Sequence, residues 1–173
     1  WEFDFAPHDV GTYPLANGQV YGYSMVHRAR RQPLDSQMPV EECGNMLIMA
    51  ASTLLAGGDI KLAKDNYELL STWVKYLIKY GLVPGDQLCT DDFAGHLAHN
   101  ANLSIKSIMA FASYAKLAAR LGKADAAARY RRLAEESVHD VHSSTPSVIL
   151  VGELANGYLH EESVLTKFAS LRL

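Results

Sequence analysis

The stretch "PVEECGNMLIMAASTLLAGG", Pro39 to Gly58, decides the fold. Pro39 suits a first helical turn, where its missing N–H is not needed. Glu41 and Glu42 follow in that turn, where the positive end of the helix dipole favours acids. From Met46 to Ala51 the residues are apolar on every side, as in a helix buried on most faces. Gly57-Gly58 then ends it. A helix is expected over 39–56.

Working outward, the next periodic stretch runs from about Ile60 to Tyr80. Leu62, Leu69, Leu70, Trp73, Val74, Leu77 and Ile78 make an apolar stripe, and Lys61, Lys64, Asp65, Glu68, Lys75 and Lys79 a wet face. That pattern predicts an outer, half-exposed helix closed by Gly81. A third helix is expected from near Asp92–His96 to Leu121. It is mostly apolar, with Lys106, Lys116 and Arg120 as its charges, and Gly122 ends it. A fourth, charge-rich helix follows over about 123–138. The order is buried, wet, buried, wet, with short connections, so successive helices are antiparallel neighbours. The spacing from Pro39 to Asp92 exceeds the ~34-residue period of common helical repeats. It predicts an all-α fold of large α-hairpins, inner and outer, as in an α/α toroid.

The flanks differ. Residues 1–38 carry Pro7, Gly11, Pro14, Asn17-Gly18, Gly22 and Pro33, and read as a loop long enough to be functional or packed over something. The chain opens "WEFDFAPHDVG", which reads like the middle of a longer polypeptide. At the other end "STPSVILVGELANGY" breaks the helical rhythm. The expected organisation is a partial toroid domain over 1–138 and an atypical tail over 139–173. A shifted reading frame or a joined unrelated segment would explain the tail.

Composition excludes several classes. Of 173 residues, 49% are hydrophobic and 20% charged, the balance of a globular protein, and the net charge is −3. No basic patch stands out, so neither nucleic acid nor an anionic membrane is an expected partner. No apolar run reaches the ~20 residues of a transmembrane helix. Cys43 and Cys89 are too few for a disulfide framework or a zinc site, and read as small buried hydrophobes. Glycine-rich phosphate loops and the G-x-S-x-G elbow are absent.

Three polar clusters precede or open the buried helices. They contain His8, Asp9, Tyr13, Asn17 and Gln19; Glu41, Glu42 and Asn45; and Asp91, Asp92, His96, His99, Asn100 and Asn102. If the hairpins stack side by side, all three meet at one rim, where carboxylates, imidazoles and amides would surround one pocket. On a helix begun near Asp92, the residues Asp92, His96, His99 and Asn100 would share a face, and a carboxylate beside an imidazole makes a general base. The alternative is that Thr90, Asp91 or Asp92 only caps the helix. The H-x-x-H spacing is too loose for a metal site, so no metal and no cofactor is expected. Glu41 and Glu42 point about 100° apart on a helix. At most one of them faces a site, and Glu42 is the candidate.

The strings "PHDVGTYPLANGQVYG" (Pro7–Gly22), "MPVEECGNMLIMAA" (Met38–Ala51) and "QLCTDDFAGHLAHNANLSIK" (Gln87–Lys106) resemble the carboxy-terminal region of the glutaminase A family, over about residues 6–138. The resemblance implies a six-hairpin, glycosidase-like helical toroid in a larger, secreted or surface-associated protein. It also implies hydrolysis of the side-chain amide of L-glutamine to glutamate and ammonia. The tail departs from the family pattern, which puts activity of this fragment by itself in doubt. Roles follow from chemistry. Asp91 or Asp92 is the candidate base or water-orienting carboxylate and Glu42 its partner acid. His8, Asp9, His96 and His99 are candidates for substrate binding or proton shuttling, and Asn45 and Asn100 for amide or oxyanion contacts. Two other readings remain open: a glycoside hydrolase-like protein on the same toroid, since two carboxylates cleave glycosidic bonds, and a non-catalytic helical module. The expected partner is a small amide such as glutamine. An apolar flank left on the inner helices would also promote self-association of the fragment.

Overall fold

The computed structural model describes residues 4–8, 37–89 and 96–144, with side chains described through residue 138. Helix α1 spans Pro39–Leu55, with Pro39 in its first turn and Glu41 and Glu42 at its positive end. It ends through Ala56 into Gly57, whose φ of 90° is left-handed and comfortable only for glycine. Its burial is one-sided. Val40, Cys43, Leu47, Ala51 and Leu54 enter the core, whereas Met46 and Met49 are 37% and 53% exposed. At 100° per residue, Glu42, Asn45, Met46, Met49 and Thr53 fall within an arc of about 100°. The apolar run therefore does not mean burial all round: one arc of α1 stays open among the described residues.

The wet helix expected over 60–80 is two pieces, α2 (Lys61–Asp65) and α3 (Tyr67–Tyr80). The break is at Asn66, with φ −110° and ψ 16°. Its side-chain Nδ2 donates to the Leu62 carbonyl at 2.9 Å, a local bond that competes with helix continuation. The kink turns Ala63 inward and leaves Leu62 at 54% exposure, outside the stripe to which its spacing assigned it.

Helix α4 spans Ala101–Arg120, beginning five residues or more later than its apolar pattern suggests. The cap is Asn100, whose side chain accepts from the Asn102 amide at 3.0 Å. His99 precedes it with φ 56°, a conformation no right-handed helix contains. Leu97 forms a single antiparallel bridge with Gln87. The segment 96–99 is therefore a turn, and the common helical face expected for His96, His99 and Asn100 does not exist. Helix α5 spans Ala124–Ser144, six residues past the expected end at 138. Its backbone continues into the segment read as a tail.

The helices form two layers. The inner pair, α1 and α4, pack against each other; α3 packs on α1 and α5 on α4. This is two adjacent α-hairpins, as expected for part of a six-hairpin toroid. The core between the layers joins Val40, Leu47, Trp73, Val74, Leu77, Leu103, Ile108, Phe111 and Leu117. Toward the α4–α5 turn it includes a tyrosine cluster. Tyr114 meets Tyr130 edge-on at 4.7 Å and stacks on Tyr67 at 5.8 Å. The Ser71 hydroxyl donates to the Tyr67 carbonyl at 2.7 Å, so Tyr114 O–H is the donor in its 2.6 Å bond to Ser71 Oγ.

Gly81 sets how closely the end of α3 approaches α4. A Cβ there would lie 2.4 Å from the Ser107 hydroxyl and 2.6 Å from the Leu77 carbonyl, and Ser107 is fully buried. Gly81→Ala should therefore cost about 1–3 kcal/mol, the range for overpacking a dense interior, as measured by urea unfolding. An unchanged midpoint would show that the two helices can separate freely at this point.

Candidate functional site

Both inner helices start at the same end of the molecule, and both are entered through a left-handed non-glycine residue: Met38, with φ 47°, before α1, and His99 before the cap of α4. The residue before a proline favours extended backbone, so the left-handed geometry of Met38 departs from its ordinary choice. Such conformations cost energy and gather where a surrounding structure imposes them, often at functional sites.

Hydrogen bonds tie three separate segments together here. The His8 amide donates to the Gln37 carbonyl at 3.0 Å, and the Ala6 amide to Cys43 Sγ at 3.2 Å. The Val40 amide at the head of α1 donates to Gln87 Oε1 at 3.2 Å. The Gln87 main chain in turn accepts from Leu97 at 3.2 Å, and the Pro84 carbonyl accepts from His99 at 2.8 Å. Asn100 Nδ2 donates to Cys89 Sγ at 3.2 Å, and Ser104 Oγ to the Leu82 carbonyl at 2.9 Å. Gln87, buried and bonded on both sides, is the staple between the second and third polar clusters.

Within this rim the candidate residues divide. Glu42 is half-buried on the open arc of α1 and accepts from Asn45 Nδ2 at 3.5 Å. His8, His96 and His99 are exposed. The Asn100 carboxamide is engaged at both ends, by the Asn102 amide and by Cys89. Asp9, Asp91 and Asp92, together with Tyr13, Asn17 and Gln19, lie outside the described residues. No group of three or more His, Cys, Asp or Glu side chains among the described residues could hold a metal ion. No described helix is long and apolar enough to cross a membrane.

From the sequence, Glu41 reads only as a first-turn acid beside the candidate Glu42, and Lys106 only as one of the charges on α4. Glu41 is 1% exposed and forms an ion pair with Lys106, which is 19% exposed, across the α1–α4 contact. Gly44 makes the approach possible, because a Cβ there would sit 2.7 Å from Lys106 Cγ. The available signal was a lysine between Ile105 and Ser107 in an apolar helix, and a glycine one turn after an acid in another. The spare carboxylate of the Glu41-Glu42 pair is thus structural, and Glu42 alone opens outward.

The model of the glutaminase A six helical-hairpin domain matches residues 1–149. This chain belongs to the glutaminase A family. A glutaminase A of Aspergillus oryzae is 35% identical over 135 residues, covering 78% of this chain and 18% of that protein. A probable glutaminase of Arthroderma benhamiae is 28% identical over 179 aligned residues, covering 70% of this chain and 20% of the relative. The chain thus spans about a fifth of the length of these curated relatives. No solved structure matches it significantly. The glutaminase A domain match runs past the helical boundary placed at 138, as α5 does.

Both cysteines are free and buried. Burial pushes the Cys43 thiol from its ordinary 9.0 up to about 12, against the smaller opposing effect of the Ala6 amide, with Asp4 and Glu42 adding to the rise. A raised folded-state value means the neutral thiol is the form the fold accepts. Its stabilising contribution is complete below pH 9 and is lost as pH climbs from about 9 toward about 12. The stability gap between wild type and Cys43→Ala should accordingly shrink by about 1–2 kcal/mol between pH 8 and roughly pH 10.5, as read by denaturant unfolding at each pH. A constant gap would mean that the thiol ionises freely in the folded state.

Proposed function

We propose that the full-length protein carrying this segment hydrolyses the side-chain amide of L-glutamine, releasing glutamate and ammonia, and that the rim at the head of α1 and α4 forms part of the site. The observation that carries this reading is membership of the glutaminase A family, with two relatives bearing the glutaminase name. The rim supports it. Amide hydrolysis needs a carboxylate or imidazole to take a proton from water and a donor for the oxygen that becomes negative. Asp91 or Asp92 takes the role of base or water-orienting acid, with Glu42 as partner acid. His8, His96 and His99 bind substrate or relay protons, and the Asn45 amide is the available donor on α1. Asn100, already engaged at both ends, fixes the entry to α4 instead.

The test is ammonia release from glutamine by the full-length protein and by Asp92→Asn, Asp91→Asn and Glu42→Gln. Loss of a positioned acid or base costs about 10²–10⁴-fold in rate. At least one aspartate variant and the Glu42 variant should fall in that range with melting temperature preserved. Wild-type rates in all three would remove these acids from the mechanism.

We further infer that the 173-residue segment expressed alone self-associates through the open Met46–Met49 arc, an apolar surface on an inner helix. Size-exclusion chromatography with light scattering should show species larger than the 19.0 kDa monomer. Conversion to a monomer by Met49→Lys would locate the contact, and a monodisperse wild-type monomer would contradict it.

A further inference from the structure

We propose that the Glu41–Lys106 ion pair is a positioning device for the rim, holding α1 at one rotation and one height against α4 so that Glu42 and Asn45 face the groups contributed by the α4 entry. The inference rests on the rim being the hydrolytic site. Three features of the structure lead to it.

The first is placement. The pair lies one turn or so inside the rim, between residue neighbours that belong to it. Glu41 directly precedes Glu42, and Lys106 follows the Asn100 cap by six residues. Fixing the Glu41 side chain fixes the direction of Glu42, about 100° round the same helix.

The second is the surrounding surface. The buried core beside the pair is apolar, with Val40, Leu47, Leu103 and Ile108 in it, and such side chains are less directional than an ion pair. Gly44 lacks a Cβ, and the Lys106 stem fills the gap. With its charge anchored on Glu41, the stem acts as a key in that slot.

The third is the cost of the arrangement. An apolar pair of similar shape would fill the same space as well or better, because burying two charges forfeits their hydration. Orientation is what the charged pair adds. The Val40 amide, in the same first turn, also donates to Gln87 Oε1 at 3.2 Å, which ties the helix head to the loop before α4.

The test uses the full-length protein with four variants: Glu41→Met, Lys106→Met, the two combined, and Lys106→Arg. Each is measured for melting temperature, for kcat and KM with glutamine, and for amide exchange at 37–42 and 96–100 compared with the α4 core at 107–118. The single variants should lose melting temperature, since each breaks the ion pair. The double variant should regain it. Yet its kcat should stay between about 10- and 100-fold below wild type, with KM little changed, and its rim exchange should be about 10-fold faster while core exchange is unaltered. Lys106→Arg, which keeps the charge and the stem, should retain kcat within about threefold. A double variant with wild-type kcat and wild-type rim exchange would overturn the proposal, as would rim and core exchange accelerating in parallel. If the double variant does not fold, Lys106→Arg decides: a folded protein with slowed turnover and wild-type rim exchange, or with a loosened rim and wild-type turnover, overturns it. A wild-type protein that releases no ammonia from glutamine sinks the functional reading alone, and the exchange comparison still decides whether the pair positions the rim.

Discussion

A buried carboxylate, Glu41, meets a lysine 65 positions later in the chain, and the join between the two inner helices is organised around that pair. Breaking a buried ion pair by removing one partner typically costs about 3–5 kcal/mol. Whole-domain stabilities are typically about 5–15 kcal/mol, so the contact between α1 and α4 depends heavily on both partners being present. The chemistry also explains the glycine between them. Gly44 weakens α1 by roughly 1 kcal/mol relative to alanine, and in return the lysine stem lies flat against the helix backbone.

From that contact the rest of the architecture follows by packing. With α1 and α4 side by side and parallel, the outer helices α3 and α5 cover the side that carries Val40, Leu47, Leu103 and Phe111. The opposite side carries Glu42, Asn45, Met46 and Met49 on α1 and Asn102, Ile105, Met109 and Lys116 on α4, which are exposed or half-buried. Amphipathicity is therefore threefold in these inner helices: one arc to the outer layer, one to the inner neighbour, one open. The loops at the rim are fastened separately, through Gln87, Cys89 and the Asn100 cap.

Much of the fold was legible in the sequence because it rests on short-range signals. The alternation of buried and wet helices, the proline entering α1, and the glycines after α1 and α4 are all read within a few residues of where they act. The failures were equally physical. Asn66 interrupts a helix whose apolar period runs straight through it, with its side chain bonded back to the Leu62 carbonyl. The start of α4 was misplaced because polar residues before a helix look alike whether they lie in its first turn or in a preceding loop; the left-handed His99 and the Asn100 cap settled it. The apolar run in α1 gave the composition of its faces, but exposure depends on what lies opposite. The partner of Glu41 was out of reach, since pairing across 65 residues is a property of the assembled helices. Of the candidate site, antiparallel hairpins make it readable that the starts of α1 and α4 lie at one end, as the bonds of Val40 and Leu97 to Gln87 show. Of the two adjacent glutamates, Glu42 is half-buried and Glu41 buried against Lys106, and the partner that turns Glu41 inward is not legible in the sequence.

The reading of the rim as a hydrolytic site implies where the product sits. A crystal structure of the full-length protein with glutamate bound is the most direct test. The expected result is glutamate at the heads of α1 and α4, with Glu42 or Asn45 within about 3 Å of one of its polar atoms and the Glu41–Lys106 pair intact beneath it. Glutamate bound elsewhere, such as at the opposite end beside Lys64, Arg120 and Lys123, with the rim groups untouched, would contradict it.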